Sequence, residues 1–92
     1  MSSPSSELVE RSVRLPDGVA LHARPAGALV RAAAAFAADV HVSANGRRAN
    51  AKSILDVLAL GAEGGAELRI DASGEDAVAA AEHLVLLVPE LV

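Results

Sequence analysis

The segment LHARPAG, residues 21–27, brings a histidine, an arginine and a proline together at the predicted start of a helix. The first amide groups of a helix have no intrahelical acceptors and carry the positive end of the helix dipole, so a helix start is a natural seat for a phosphate. Neutral imidazole is nucleophilic near pH 7, and a guanidinium matches the geometry of phosphate oxygens. We therefore expect His22 to accept a phosphoryl group and Arg24 to bind it.

The helix that would position these side chains is predicted over Pro25 to Ala38. Pro25 fixes φ for the first turn and lacks only an N–H that would be unpaired there anyway. The apolar side chains that recur at three- and four-residue steps are Ala26, Leu29, Val30, Ala33 and Phe36, and they predict the buried face. The small residues Ala23, Ala26 and Gly27 would leave room for a partner to approach His22.

The elements on either side alternate between strand and helix patterns. A strand is predicted from about Glu7 to Leu15, and another over Val40 to Ala44. Asn45-Gly46 is a strong hairpin signal, so the chain should return as a short strand over Arg47 to Asn50. Ser53 is then expected to cap a short helix that ends at about Ala59.

The C-terminal third predicts one more strand and one more helix. Leu68, Ile70 and Ala72 alternate with charged residues, which is typical of a strand with one buried face. The segment SGED, residues 73–76, matches a capping box that would open the last helix, and Pro89 should end that helix. The positions expected to be buried in it are Ala77, Ala80, Ala81, Leu84, Leu87 and Val88.

These elements predict an α+β fold in the order β-α-β-β-α-β-α. The strands have one polar face, so we expect an open-faced two-layer sandwich, with a mostly antiparallel four-stranded sheet and three helices on one face. Residues 1–6 are predicted to form a disordered tail, and residues 7–92 a single domain.

Composition narrows the class of protein. The chain has 92 residues, no cysteine and no apolar run of membrane-spanning length, so we expect a cytoplasmic protein without membrane insertion. The formal net charge is −4, yet residues 22–54 carry five basic residues against Asp39 alone, a local net charge of +4. This distribution favours an anionic ligand or an acidic partner surface.

A second motif, NAKSIL at residues 50–55, is followed by VLALG at residues 57–61. Together with LHARPAG, and at the same separation, it closely resembles HPr, the family of histidine-containing phosphocarrier proteins of the bacterial sugar phosphotransferase system. The resemblance runs from about Glu7 to Val88. Asp56 departs from the family, where a glycine or a basic residue is usual, and Ala20 replaces a common glycine.

The resemblance implies a stoichiometric carrier that needs no cofactor, rather than a turnover enzyme. His22 would receive phosphate from a phosphoenolpyruvate-dependent enzyme I and pass it to sugar-specific enzyme IIA domains. The residues that would contact the phosphate are Ala23, Arg24 and Pro25, and those that would dock partners are Ala26, Gly27, Ile54, Leu55 and Leu58. A monomer is expected, because one face must serve successive partners.

Two other functional classes remain open from the sequence. A regulatory protein would act through Ser53 and the following helix, as substrate of a serine kinase and phosphorylase or as ligand of a transcription regulator. A nucleic-acid-binding module is disfavoured by the net charge and by Phe36 being the only aromatic residue. His41 and His83 are interpreted as structural, and no metal site is expected, because no histidines have ligand spacing.

Overall fold

The computed structural model of the chain describes residues 8–91, so the predicted N-terminal tail lies outside the described residues. The helices and strands follow in the predicted order. They are β1 (Leu8–Arg14), α1 (Ala23–Ala34), β2 (Asp39–Ala44), β3 (Arg47–Asn50), α2 (Ile54–Ala59), β4 (Glu67–Ser73) and α3 (Ala77–Leu87), and a single 3-10 turn (Val88–Glu90) containing Pro89 ends α3.

The four strands form one sheet in the order β1-β4-β2-β3, and every neighbouring pair is antiparallel. The alternating apolar positions of β2 and β4 are buried beneath the helices, whereas their intervening residues are polar. On the polar face Arg69 lies in ion-pair contact with Glu10 and Asp71, from β1 and β4. The predicted open-faced two-layer sandwich is confirmed.

The β2–β3 hairpin turns at Asn45-Gly46, as the sequence predicts. Both residues have positive φ, 55° and 73°, which is the geometry of a type I′ turn and favours asparagine followed by glycine. The Asn45 side-chain amide donates to the carbonyl of Leu60 at 3.2 Å, and Arg47 donates to that of Ala59 at 3.1 Å. The hairpin therefore caps the last carbonyls of α2.

Helix α1 begins two residues before its predicted start and ends four residues before its predicted end. The termination comes from Asp76, whose carboxylate accepts hydrogen bonds from the Ala37 and Ala38 amides at 2.9 and 2.7 Å. Lys52 donates to the carbonyl of Phe36 at 2.8 Å. Two distant side chains thus satisfy backbone groups that a longer helix would have paired internally.

The predicted capping box before α3 is wrong. Ser73 is the last residue of β4, and Asp76 is the N-cap of α3 but makes no side-chain bond to its own helix. Its carboxylate is instead bound to the segment after α1. The predicted buried face of α3 is confirmed except at Leu87, which is only partly buried.

The loop before α1 is held against the loop between α2 and β4. Leu21 is buried, and its backbone amide donates to the carbonyl of Ala62 at 2.9 Å. The backbone amide of Leu15 donates to the carbonyl of Ala66, also at 2.9 Å. Between these two bonds the backbones approach closely. A Cβ added at Gly64 would lie 2.9 Å from the Val19 nitrogen and nearer still to that of Gly18. Position 64 therefore requires glycine.

Replacing Asp76 by asparagine should lower the midpoint of thermal unfolding at pH 7, because an amide offers one acceptor oxygen to two backbone donors. The hydrogen bond from the Ala37 amide is the largest cause that holds the pKa of Asp76 below its usual value, and the bond from the Ala38 amide lowers it further. A lowered folded-state pKa gives stability that is present above the unfolded value of about 3.9 and is lost as pH falls through the folded one.

The difference in midpoint between wild type and Asp76→Asn should therefore be constant above about pH 5 and narrow in acid. A difference that stays unchanged down to the lowest pH at which the protein is folded would contradict this role of the carboxylate.

Gly64→Ala should destabilise the fold by about 1–3 kcal/mol in urea unfolding, since two backbone segments must separate to admit the methyl group. The exposed neighbour Glu63→Ala serves as control and should change stability by less than about 0.5 kcal/mol. Equal stability of Gly64→Ala and wild type would show that the loops do not pack as described.

Candidate functional site

His22 is the N-cap residue of α1, with an extended backbone at φ −92° and ψ −165°. Its own amide donates to the carbonyl of Ala20, and its carbonyl accepts the first helical bond from Ala26, both at 2.9 Å. The imidazole is exposed and makes no hydrogen bond with any other side chain or backbone group in residues 8–91. The ring is consequently free to react with a group that approaches from solvent.

The first turn of α1 leaves its amide donors open. The N–H groups of Ala23 and Arg24 have no acceptor among the described residues, and Pro25 has no N–H to satisfy. No acidic residue lies in this turn. The helix start therefore presents two free donors and the positive end of the dipole beside His22, which suits an anion.

Arg24 is exposed on the second residue of the helix. Its guanidinium forms neither an ion pair nor a hydrogen bond within residues 8–91, where the described ion pairs involve Arg11, Arg48 and Arg69 instead. A free guanidinium two residues from the imidazole can therefore turn toward a phosphoryl group on the ring.

Pro25 and Ala26 contribute to the site differently from the sequence expectation. Both are buried, and Ala26 has no exposed surface at all, so it packs in the core and offers nothing to a docking partner. Pro25 fixes the backbone φ angle in the first turn and has no N–H to donate to a phosphate. Gly27 is half-buried at the edge of this surface.

Helix α2 packs beside α1 and begins at a satisfied cap. The Ser53 Oγ accepts a hydrogen bond from the Asp56 amide at 3.3 Å, which confirms the predicted N-cap. The Asp56 carboxylate in turn accepts a hydrogen bond from the backbone amide of Asn50 at 3.3 Å. Asp56 thus connects α2 to the end of β3, a structural role that sequence reasoning missed although the S-x-x-D spacing resembles a capping box.

The outer surface of α2 is apolar at the positions predicted for docking. Leu55 is 75% exposed and Ile54 is 38% exposed, whereas Leu58 is half-buried. Most of the apolar surface of the Leu55 side chain is exposed to solvent. Val57 is the one buried side chain of this short helix, and the helix has no other residue that could cover Leu55. The structure therefore places an exposed apolar patch on the helix next to α1.

Sequence reasoning also missed the residues that hold the histidine loop. Leu21 anchors the loop in the core, and the Gly64-Gly65 pair lets the neighbouring backbone approach it. The glycine pair signals a turn but not what the turn contacts. His83, interpreted as structural, lies with its ring centroid 5.6 Å from that of Phe36, a contact absent from the sequence expectation.

No group of three histidine, aspartate or glutamate side chains could hold a metal ion in residues 8–91. None of the helices described there is long and apolar enough to cross a membrane.

Comparison with known proteins assigns the chain to a family. The family described as the PTS HPr component phosphorylation site matches residues 9–90. The phosphocarrier protein HPr of Streptomyces coelicolor is 45% identical over 84 residues, which cover 90% of this chain and 90% of that protein.

Solved structures agree in fold. The HPr crystal structure from Bacillus anthracis matches with a TM-score of 0.83 and 34% identity, covering 88% of this chain and 96% of that one. The solution structure of Crh, the catabolite repression HPr of Bacillus subtilis, matches with a TM-score of 0.68 and 37% identity over 91% of this chain and 100% of that one. The chain therefore belongs to the HPr family of phosphocarrier proteins of the phosphotransferase system.

Proposed function

We propose that the protein carries a phosphoryl group on His22, accepting it from a phosphoenolpyruvate-dependent enzyme I and donating it to enzyme IIA domains in sugar uptake. The observation that carries this proposal is the exposed imidazole at the open start of α1, two residues before Arg24, whose guanidinium has no partner within residues 8–91. In this proposal the single domain of residues 7–92 acts as a cytoplasmic monomer.

Transfer to His22 is a displacement at phosphorus. The lone pair of one ring nitrogen forms the new P–N bond while the bond from phosphorus to the donor breaks, and its electron pair leaves with the donor. The proton on the other ring nitrogen passes to water or to the partner. Donation to the acceptor reverses these bond changes, so the carrier is regenerated without net consumption.

The electrostatic setting suits a group that must leave again. The phosphate would meet the free amides of Ala23 and Arg24 and the Arg24 guanidinium, all open to solvent. Charge at a helix start is worth about 0.3–1 kcal/mol in exposed positions. Such stabilisation orients the group without holding it so tightly that transfer stops, and it supports a carrier rather than a turnover enzyme.

The apolar surface of α2 gives the partners a place to bind. Ile54, Leu55 and Leu58 lie on the helix adjacent to α1, so a partner seated on them can reach His22 at the same time. Exposed apolar patches of this kind mark protein interaction sites. Gly27 is half-buried at the α1 side of this surface, whereas the buried Ala26 does not take part.

The alternative, regulation through Ser53, fits the geometry less well. A phosphate on Ser53 would be stabilised by the positive end of the helix dipole but would lie close to the negative carboxylate of Asp56. The backbone amide of Asp56 already donates to the serine oxygen. Lys52, the neighbouring cation, donates to the Phe36 carbonyl instead. The arrangement favours an unmodified cap, and action on Ser53 by a serine kinase, or through it on a transcription regulator, stays a prediction of the resemblance.

Incubation with phosphoenolpyruvate and purified enzyme I of Streptomyces coelicolor should label the protein with phosphate that is acid-labile and base-stable. His22→Ala should abolish this label, because no other group at the helix start can form the P–N bond. His41→Ala and His83→Ala are matched controls on other surfaces and should keep it. Labelling that survives His22→Ala would overturn the proposal.

Leu55→Ala should raise the KM for this protein as substrate of enzyme I roughly five-fold, because full burial of a leucine side chain is worth about 1.5–3 kcal/mol and alanine forfeits most of it. Leu86 on α3 is a close control, since it is 74% exposed against 75% for Leu55. Leu86→Ala should leave KM unchanged, and both variants should unfold near the wild-type midpoint. Equal KM values for the two variants would remove α2 from the docking surface.

A further inference from the structure

Strand β1 forms one edge of the sheet, and within residues 8–91 only β4 pairs with it. The Leu15 amide donates to the carbonyl of Ala66, the next pair in the β1–β4 register. Because hydrogen-bonded pairs alternate along antiparallel strands, residues 9, 11 and 13 direct their backbone groups at β4, and residues 8, 10, 12 and 14 direct theirs out of the sheet. Such an open row of donors and acceptors is a template for a further strand.

The side chain of Arg11 lies across this open edge. It occupies a helix-facing position of β1, between the buried Val9 and the half-buried Val13, where a third apolar residue would continue the pattern. Its Nη1 donates to the carbonyl of Glu10 at 2.9 Å, and its Nη2 lies 3.6 Å from the Glu82 carboxylate on α3. The Glu10 carbonyl is one of the outward-facing acceptors, so the guanidinium occupies a group that an added strand would need.

Apolar side chains lie beside the guanidinium. Val85 and Leu86 of α3 line a shallow hollow together with Arg11 and Glu82, and Leu86 is largely exposed. A second chain that covered this apolar surface would also remove the charge of Arg11 from water, and that cost opposes the gain from burial. Arg11 therefore protects the edge in two ways, by binding a free carbonyl and by its charge.

The edge is complementary to β1 of a second copy of this chain. In an antiparallel pair, outward-directed residues must lie opposite outward-directed residues, so the even-numbered positions of the two copies would face one another. Among the registers that pair residues 8, 10, 12 and 14, only one sets opposite charges face to face. It places Glu10 opposite Arg14 of the second copy and Ser12 opposite its own counterpart, and two-fold symmetry makes the charge pair occur twice.

We propose that Arg11, held by Glu82, closes the edge of β1 against a second copy of this chain and so keeps the protein monomeric. The proposal goes beyond the proposed function, because labelling of His22 does not require it, and it supplies a cause for the monomeric state assumed there. The side chains of this ion pair are 41% and 62% exposed, so the pair contributes little to stability. Its loss should therefore change association more than folding.

The test is sedimentation equilibrium over a dilution series. Wild type should stay monomeric, whereas Arg11→Val, which continues the apolar alternation of β1, should dimerise at least about tenfold more tightly than wild type. Glu82→Gln weakens the hold on the guanidinium and should give a smaller increase. This conservative variant keeps the proposal testable even if thermal unfolding shows that Arg11→Val does not fold.

Arg48→Val is the matched control. It removes the same charge and adds the same side chain on β3, the other edge strand, where the Arg48 guanidinium lies against Asp71 on the polar face. This variant should stay monomeric. Association of Arg48→Val as strong as that of Arg11→Val would assign the effect to added apolar surface and overturn the proposal.

A single cysteine tests the register, because the chain contains none. Ser12→Cys in the Arg11→Val background should form a disulfide-linked dimer under mild oxidation, since opposed Cα atoms of a hydrogen-bonded pair lie about 5.5 Å apart and disulfides span roughly 4.4–6.8 Å. Ser12→Cys alone should cross-link at least about tenfold more slowly. Leu8→Cys, on the same strand but not opposite its own counterpart in this register, should not gain from Arg11→Val.

Dimers of the wild type at the same concentrations would overturn the proposal, as would a folded but monomeric Arg11→Val. Faster cross-linking of Leu8→Cys than of Ser12→Cys would contradict the register. Arg11→Val dimers that persist for hours after dilution would indicate exchange of β1 between copies and would overturn addition at the edge. None of these outcomes affects the carrier function, which phosphate labelling of His22 tests separately.

Discussion

Within residues 8–91 no side chain caps the start of α1, and the proposed chemistry of the site depends on this open start. An ordinary N-cap side chain satisfies a helix-start amide and contributes about 1 kcal/mol, as Ser53 does for α2. His22 occupies the same position in α1 but makes no such bond. The free amides of Ala23 and Arg24 can thus bind an anion reversibly. The helix in turn lacks the stabilisation that a permanent N-cap hydrogen bond would give it.

A helix with an open start must be held elsewhere, and α1 is held at its other end. The carboxylate of Asp76 and the ammonium of Lys52 bind the backbone of residues 36–38, from the start of α3 and from the segment before α2. The buried face of α1 fixes its orientation, and Leu21 anchors the loop before it. Rigidity around the site therefore comes from contacts that do not use the groups proposed to bind phosphate.

Helix α2 is likewise held by contacts at its ends, which leave its outer surface free. Its first turn is tied by Ser53 and Asp56, and its last carbonyls are bound by Asn45 and Arg47 from the hairpin. A six-residue helix could not persist on its own, because helix formation needs a costly nucleus. With both ends secured, the helix can leave Leu55 exposed to solvent and available to a partner.

The sequence predicts those features that arise from neighbouring residues. Asn45-Gly46 requires positive φ at two successive positions and so predicts the hairpin, and Ser53 predicts a cap because its acceptor lies three residues ahead. The LHARPAG motif places the histidine at a helix start for the same reason. These inferences need only local geometry.

Most of the errors have long-range causes. The end of α1 is set by Asp76, which binds the amides of Ala37 and Ala38 from 39 and 38 residues further along the chain. The same bonds take that carboxylate away from the predicted capping box. The expectation that Ala26 docks a partner is wrong for a local reason, because Ala26 lies on the apolar face of α1 that its three- and four-residue spacing predicts to be buried. The close approach of Gly64 to Gly18 joins two loops that no local pattern connects.

We propose that the open start of α1 binds the phosphoryl group on His22. Amide NMR spectra of the protein before and after phosphorylation by enzyme I test it most directly. The largest shifts should fall on the amides of Ala23 and Arg24, which gain a charged acceptor, while the amides of the sheet and of the start of α2 stay unchanged. Large shifts centred on Ser53, or unchanged amides at Ala23 and Arg24, would contradict it.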